Sequence, residues 1–276
     1  LIDDYEDLVV ETFGSVLRVT LNRPDRRNAL SVGLMEGLFE LIDRGARDES
    51  IRVLVVRGAG TSFCSGWDVA PTATDEAVSS PHARMASVER DNRTFDALWR
   101  CPIPTIAQVH GYCLAAGTDL ALSCDFVVCA TDAVIGYPAV RSVGGVPATH
   151  MWLYNLGPQW TKRLLLTGDR LTGAKAAELG LALEAVDVEA LDAHVMEFAT
   201  RIGTVPRDSL IANKSVVNCG LELIGRSQLQ RSAVIHNVLA RSGPDAAEFS
   251  MAAQAKGARQ AAQERDAPFV PDLPIA

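Results

Sequence analysis

The sequence predicts an α/β fold, and three observations carry that prediction. Residues 51–57, Ile-Arg-Val-Leu-Val-Val-Arg, form a β-branched apolar run suited to a buried parallel strand. Residues 105–109 form a second such run, and both pass into turns rich in small residues. From Glu189 onward the apolar spacing is helical only. Strand-and-helix units followed by a helical tail belong to the α/β class, although the pattern alone leaves the topology open.

Taken in order, residues 8–12 and 16–21 alternate around Gly14, as a β-hairpin does. Residues 31–46 carry Leu34, Leu38, Leu41 and Ile42 at helical spacing, with Ser31 as N-cap. Residues 70–95 mix polar and charged residues with Pro71 and Pro81, a pattern open to a lid over a site or a surface loop containing a helix. Residues 94–99 are helical and stop near Cys101-Pro102, and another helix begins at about Ala116. Strands are expected over 126–130 and 133–136, helices over 159–166 and 173–179 with Gly180 as C-cap, and a short strand over 183–186. Further helices are expected over 191–202, 210–219 and 227–241. Beyond Arg259 no helical period is visible, and a flexible tail is expected.

Composition excludes several classes. A hydrophobic content of 48% over 276 residues supports a sizeable core, in one large domain or a domain plus an appendage. A net charge of −8 argues against nucleic acid or an anionic membrane surface as partner. Any anionic ligand must then be held by local donors. The six cysteines show no CxxC spacing and lie mostly in apolar runs, which suits reduced, buried thiols. No leader pattern and no apolar run of ~18 residues is present, so a cytoplasmic protein is expected. The scattered histidines offer no metal-ligand spacing, and no glycine-rich phosphate loop occurs.

The chemistry concentrates in residues 105–125, where an apolar run, a Gly/Ala turn and a helix start follow one another. Backbone N–H groups at a helix start lack partners within the chain, and the helix dipole helps them hold an oxyanion. Ala116 and Asp119 are three apart, on one face of that start, which puts a carboxylate about one turn from the donor. A second small-residue turn, 58–68, also follows a strand. Together the two turns supply one N–H each to a single carbonyl oxygen.

These residues resemble the crotonase (enoyl-CoA hydratase/isomerase) superfamily. The resemblance is carried in order by Leu21-Asn22-Arg23-Pro24 with Asn28-Ala29-Leu30, by residues 63–68 (Phe-Cys-Ser-Gly-Trp-Asp), by residues 104–114 and by Cys124-Asp125. Residues 166–171, Ala174, Ala177, Gly180-Leu181 and Lys214 continue it, over roughly residues 5–240. It implies a spiral of β-β-α units over residues 1–200, a C-terminal helical segment over 201–258 that mediates trimers or hexamers, and a tail over 259–276. It also implies an acyl-CoA thioester substrate, with coenzyme A as part of that substrate and no resident cofactor.

By the same resemblance, the N–H groups of Trp67 and Ala116 form an oxyanion hole for the thioester carbonyl, and Asp119 matches the first of two family acids. Ala115 and Ala116 stand where glycines are frequent, so the turn needs negative φ or some strain. The second acid is missing, since Ala139 follows Ile135-Gly136-Tyr137-Pro138. Alanine cannot transfer a proton. Either Asp119 acts alone, or Tyr137, Arg141 or His150 stands in. Arg26 and Arg27, in a cluster with Arg23, are candidates for a CoA phosphate. Trp67, Asp68, Val69, Ala70, Ala116 and Tyr137 are candidates to line the CoA groove, with Asp68 ordering its loop. Lys214 is read as a surface lysine, or else a phosphate contact, and Asp125 as a buried hydrogen-bonding group. The expected activity is enoyl-CoA hydration. Another crotonase-type reaction or a silent acyl-CoA-binding paralogue remains the alternative.

Overall fold

The hairpin that the N-terminal alternation predicts is present, with β1 (Leu8–Phe13) antiparallel to β2 (Val16–Leu21). The structure, a computed structural model, describes residues 5–68, 80–141, 145–269 and 273–276. The described elements continue as α1 (Val32–Arg47), β3 (Val53–Gly58), α2 (Pro81–Asp91), α3 (Arg93–Arg100), β4 (Thr105–Val109), β5 (Tyr112–Leu114), α4 (Ala116–Leu122), β6 (Phe126–Ala130) and β7 (Val134–Gly136). They are followed by α5 (Met151–Thr167), β8 (Arg170–Thr172), α6 (Gly173–Glu178), β9 (Glu184–Val186), α7 (Val188–Gly203), α8 (Arg207–Leu223), α9 (Arg226–Arg241), α10 (Pro244–Lys256) and α11 (Ala258–Asp266).

The strands form two sheets within the α/β fold. The larger runs β1-β2-β3-β4-β6-β9 and is parallel from β2 onward; the smaller runs β5-β7-β8. The β-branched runs become its central strands, and every residue of β4 is buried. α1 buries Leu34, Leu38, Leu41 and Ile42, the stripe the spacing predicts, and Ser31 Oγ accepts the Leu34 N–H at 3.2 Å. On α7, Asp192 draws in Arg57 Nη1 at 2.6 Å from β3 and Gln108 Nε2 at 3.2 Å from β4. All six cysteines are unpaired and five are buried. Burial pushes the Cys64 thiol up to about 12, so it stays neutral and inert.

The helix expected over 159–166 is present, as the second part of α5: Gly157 at φ 69°, ψ 175° breaks the helical run, and Pro158 opens the segment that ends at Thr167. A short helical stretch over 151–156, which the spacing did not predict, precedes it. Two expectations are corrected. The tail is not featureless: α11 occupies Ala258–Asp266, and Ile275 bridges to Leu171 of β8. Its low apolar content hid the helix. Lys214 is neither a surface lysine nor available to a phosphate. Its side chain is 7% exposed, and Nζ bonds Asp125 at 2.6 Å and the Ile103 carbonyl at 3.1 Å. Asp125 also accepts the Thr105 N–H at 2.7 Å, as expected of a buried hydrogen-bonding group.

Candidate active site

The two turns meet. Cys64 bridges to Cys113 and Leu30 bridges to Trp67, so residues 63–68 run as an irregular strand beside β5. The Leu30 bridge uses the Gly66 carbonyl and the Asp68 N–H, which turns the Trp67 N–H to the opposite side. That side faces the second turn: a Cβ on Gly66 would lie 2.9 Å from the Ala115 Cβ and 3.3 Å from the Ala116 nitrogen. Gly66, at φ 102°, is therefore required twice, by conformation and by space. Ala116 is the first residue of α4, where an N–H has no intrahelical acceptor. Among the described residues no acceptor takes either N–H. Two adjacent backbone donors without partners can hold one oxyanion.

The turn is built with strain. Ala115 sits at φ 50°, ψ −126°, a conformation that suits glycine. It is held by its N–H bond to the Gly136 carbonyl at 3.0 Å and by two donors on its own carbonyl, the Thr118 N–H at 2.8 Å and Oγ1 at 2.6 Å. Residues in such regions persist only where the surroundings over-determine them, at a cost of about 1–3 kcal/mol.

Asp119 is 1% exposed on the inner face of α4. Its Oδ1 accepts the Thr149 N–H at 2.9 Å, and the Tyr137 hydroxyl lies 3.4 Å from Oδ2. Burial pushes this carboxyl up to about 7, against the opposing effect of the Thr149 and Ala148 amides and the Tyr137 hydroxyl. It is thus near half-ionised at neutral pH, the condition for both taking and giving a proton. Ala148 and Thr149 were not visible as site residues in the sequence, because they contribute only backbone. The nearest signal is that they precede the helix start at Met151.

The structure separates the three stand-ins. Tyr137 touches Asp119, but burial and the carboxylate hold its phenol well above the ordinary range, so it donates a hydrogen bond and does not act as a base. Arg141 points away: Nε–H donates to the Thr167 carbonyl at 3.0 Å and the guanidinium lies 3.9 Å from the Phe269 ring. His150 lines a groove of about 210 Å³ on the outside of α5 with Leu153, Pro158 and Leu165. Burial lowers its pKa. Ala139 is half-buried, and a Cβ on Gly145 would stand 3.4 Å from its methyl group.

Around this centre, Trp67 is 37% exposed with its ring 5.8 Å from Phe95, so its indole lies on the surface of the site and not in the core. Asp68 accepts from Arg23 Nη2 at 2.9 Å. Arg23 is thereby spent internally, with a further bond to the Ala29 carbonyl at 2.6 Å. Arg26 and Arg27 are exposed, and Arg27 stacks 5.0 Å over Tyr112. Val69 and residues 70–79 of the lid-or-loop segment, Ala70 among them, lie outside the described residues; α2 is the helix expected within that segment.

The sequence profile of the enoyl-CoA hydratase/isomerase family matches residues 11–255, and the chain belongs to that family. A crystal structure of an enoyl-CoA hydratase from Mycobacterium smegmatis is 36% identical, superposes with a TM-score of 0.91, and covers 97% of this chain and 96% of that one. The 1,2-epoxyphenylacetyl-CoA isomerase of Escherichia coli K12 is 32% identical over 206 residues, 74% of this chain and 78% of its own. The 2,3-dehydroadipyl-CoA hydratase of the same organism is 27% identical, over 85% of this chain and 90% of its own. The protein is thus an enzyme of the crotonase type acting on an acyl-CoA thioester, and its relatives' names span more than one reaction.

Proposed function

We propose that the protein hydrates a 2-enoyl-CoA, with Asp119 as its one acid–base group and the N–H groups of Trp67 and Ala116 as its oxyanion hole. The observation that carries this reading is the Asp119 carboxyl, buried one helical turn from the Ala116 donor and pushed up to about 7. The ionised carboxylate takes a proton from water as the water oxygen bonds to Cβ. The electron pair of the double bond moves toward the thioester oxygen, where the two N–H groups stabilise the enolate charge. The carboxylic acid then returns its proton to Cα, completing addition of H and OH with one group. The exposed Arg26 and Arg27 are assigned to a CoA phosphate, in keeping with a chain whose net charge of −8 attracts no anion globally. Exposed Val216, Val217, Leu223 and Ile224 on and just after α8 support a trimer or hexamer contact there. The unpaired cysteines are in keeping with a cytoplasmic location.

A second reading, migration of a double bond, is favoured by Ala139. A single carboxylate that takes a proton from one carbon and returns it to another needs no second acid. Product analysis in heavy-oxygen water, with crotonyl-CoA, a long-chain 2-enoyl-CoA and a 3-enoyl-CoA, separates the two. Hydration places solvent oxygen in a 3-hydroxyacyl product and falls by about 10²–10⁴ in Asp119→Asn. Conversion of the 3-enoyl thioester alone, without oxygen uptake, selects migration. No turnover of any of the three contradicts both.

A further inference from the structure

The small sheet carries both halves of the candidate site. β5 leads into Ala115 and Ala116, and β7 leads into Tyr137. The joint between them is Gly136, whose carbonyl accepts the Ala115 N–H and which is paired with Arg170 across β7 and β8. On the far side of β8, Ile275 donates its N–H to the Arg170 carbonyl at 2.7 Å and accepts the Thr172 N–H at 2.9 Å. Ile275 thus adds a further strand position to this sheet. A backbone path runs from Ile275 to Arg170 and Thr172, across β8 and β7 through the Leu171–Ile135 pair, and from Gly136 to the strained Ala115.

The other end of the Tyr137 segment is held from the same direction. The Arg141 side chain is 2% exposed, bonds the Thr167 carbonyl, and reaches Asp266 at the end of α11 at 3.3 Å with Phe269 against its face. Gly136 and Arg141 bracket the four residues that contain Tyr137 and Ala139, and each is tied to the last part of the chain.

We propose that Ile275 and Arg141, through Asp266 and Phe269, are positioning residues for the oxyanion hole and the Asp119–Tyr137 pair. This rests on the enolate reading above. Ala115 keeps its left-handed conformation only while its N–H stays fixed on Gly136. Release of that anchor lets the Ala116 N–H swing from its aim, and a misplacement of about 1 Å costs about 10²-fold.

The test uses acetoacetyl-CoA, whose enolate absorbs in the near ultraviolet, added to the wild type and to Ile275→Pro, Ile275→Ala, Asp266→Asn and Phe269→Ala. Proline removes the donor N–H that meets Arg170 together with the isoleucine side chain and fixes φ, whereas alanine removes the side chain and keeps the N–H, so the difference between the two variants reports the backbone bond and the fixed φ. The expected result is a loss of bound enolate of about 10-fold or more in Ile275→Pro, with overall affinity nearly kept and Ile275→Ala close to wild type. Asp266→Asn and Phe269→Ala should lower the enolate in the same direction by a smaller factor. A folded Ile275→Pro protein with the wild-type enolate fraction overturns the proposal. If Ile275→Pro does not fold, unchanged enolate in the other two variants overturns it equally. A wild type that binds the probe with no enolate at all sinks the enolate reading itself, and is recognised by that.

Discussion

Asp119 shows how much one residue's surroundings decide. A first-turn aspartate on an exposed helix would be ionised and would merely complement the dipole. Here burial raises the cost of charge, and two amides and a phenol offset part of that cost, leaving the group balanced near neutrality. The position of Asp119 was legible from its spacing to Ala116. Its pairing with Tyr137 was not, because the contact crosses eighteen residues of chain and depends on how β7 lies against α4. Ala115 is the second informative residue. The sequence demanded negative φ or strain, and the structure answers with strain at φ 50°. Ala115→Gly should relieve it: against about 1–3 kcal/mol of strain stand roughly 0.5–1 kcal/mol of unfolded-chain entropy and part of a methyl burial of about 0.8 kcal/mol. Stability is therefore expected to stay level or rise by up to about 1 kcal/mol in urea unfolding. A drop larger than about 1 kcal/mol would show that the left-handed turn costs Ala115 nothing.

At the scale of elements, period and caps were the readable part. The alternating hairpin, the apolar runs of β3 and β4, and the Ser31-capped stripe of α1 appear where their patterns put them. Elements held mainly by charge were not readable. α11 carries little apolar surface, and its last residue, Asp266, is met by Arg141, a pairing that no periodicity announces. α8 is fastened to the core by Lys214, buried against Asp125, and by Arg207, which reaches the carbonyls of Ile51 and Ala46. Removing one partner of a buried ion pair strands the other, at about 3–5 kcal/mol. Lys214→Ala is expected to lose about 3 kcal/mol in urea unfolding, and Lys214→Met with Asp125→Asn to recover part of it. A loss below about 0.5 kcal/mol for Lys214→Ala would mean that α8 is held by packing alone.

For the molecule as a whole, the order of strands and turns does what no single motif does. β3 and β4 are neighbours in one sheet, so the turns that leave them arrive side by side, and Gly66 packs onto Ala115 and Ala116. The α/β class was visible in the run of strand and helix patterns, whereas the split into a six-stranded and a three-stranded sheet needed the long-range pairings themselves. The consequence is a preorganised pair of donors one helical turn from a carboxyl poised near neutrality. The most direct test is exchange of the Cα hydrogens of butyryl-CoA for deuterium in heavy water, followed by nuclear magnetic resonance across pH 5 to 9, a window of about two units either side of the Asp119 midpoint. Only the ionised carboxylate can remove the proton, so the rate should rise with pH through about 7 and then level off. It should fall by about 10²–10⁴ in Asp119→Asn. Exchange that persists in that variant, or that declines as pH rises through the same range, would contradict Asp119 as the group that moves the proton.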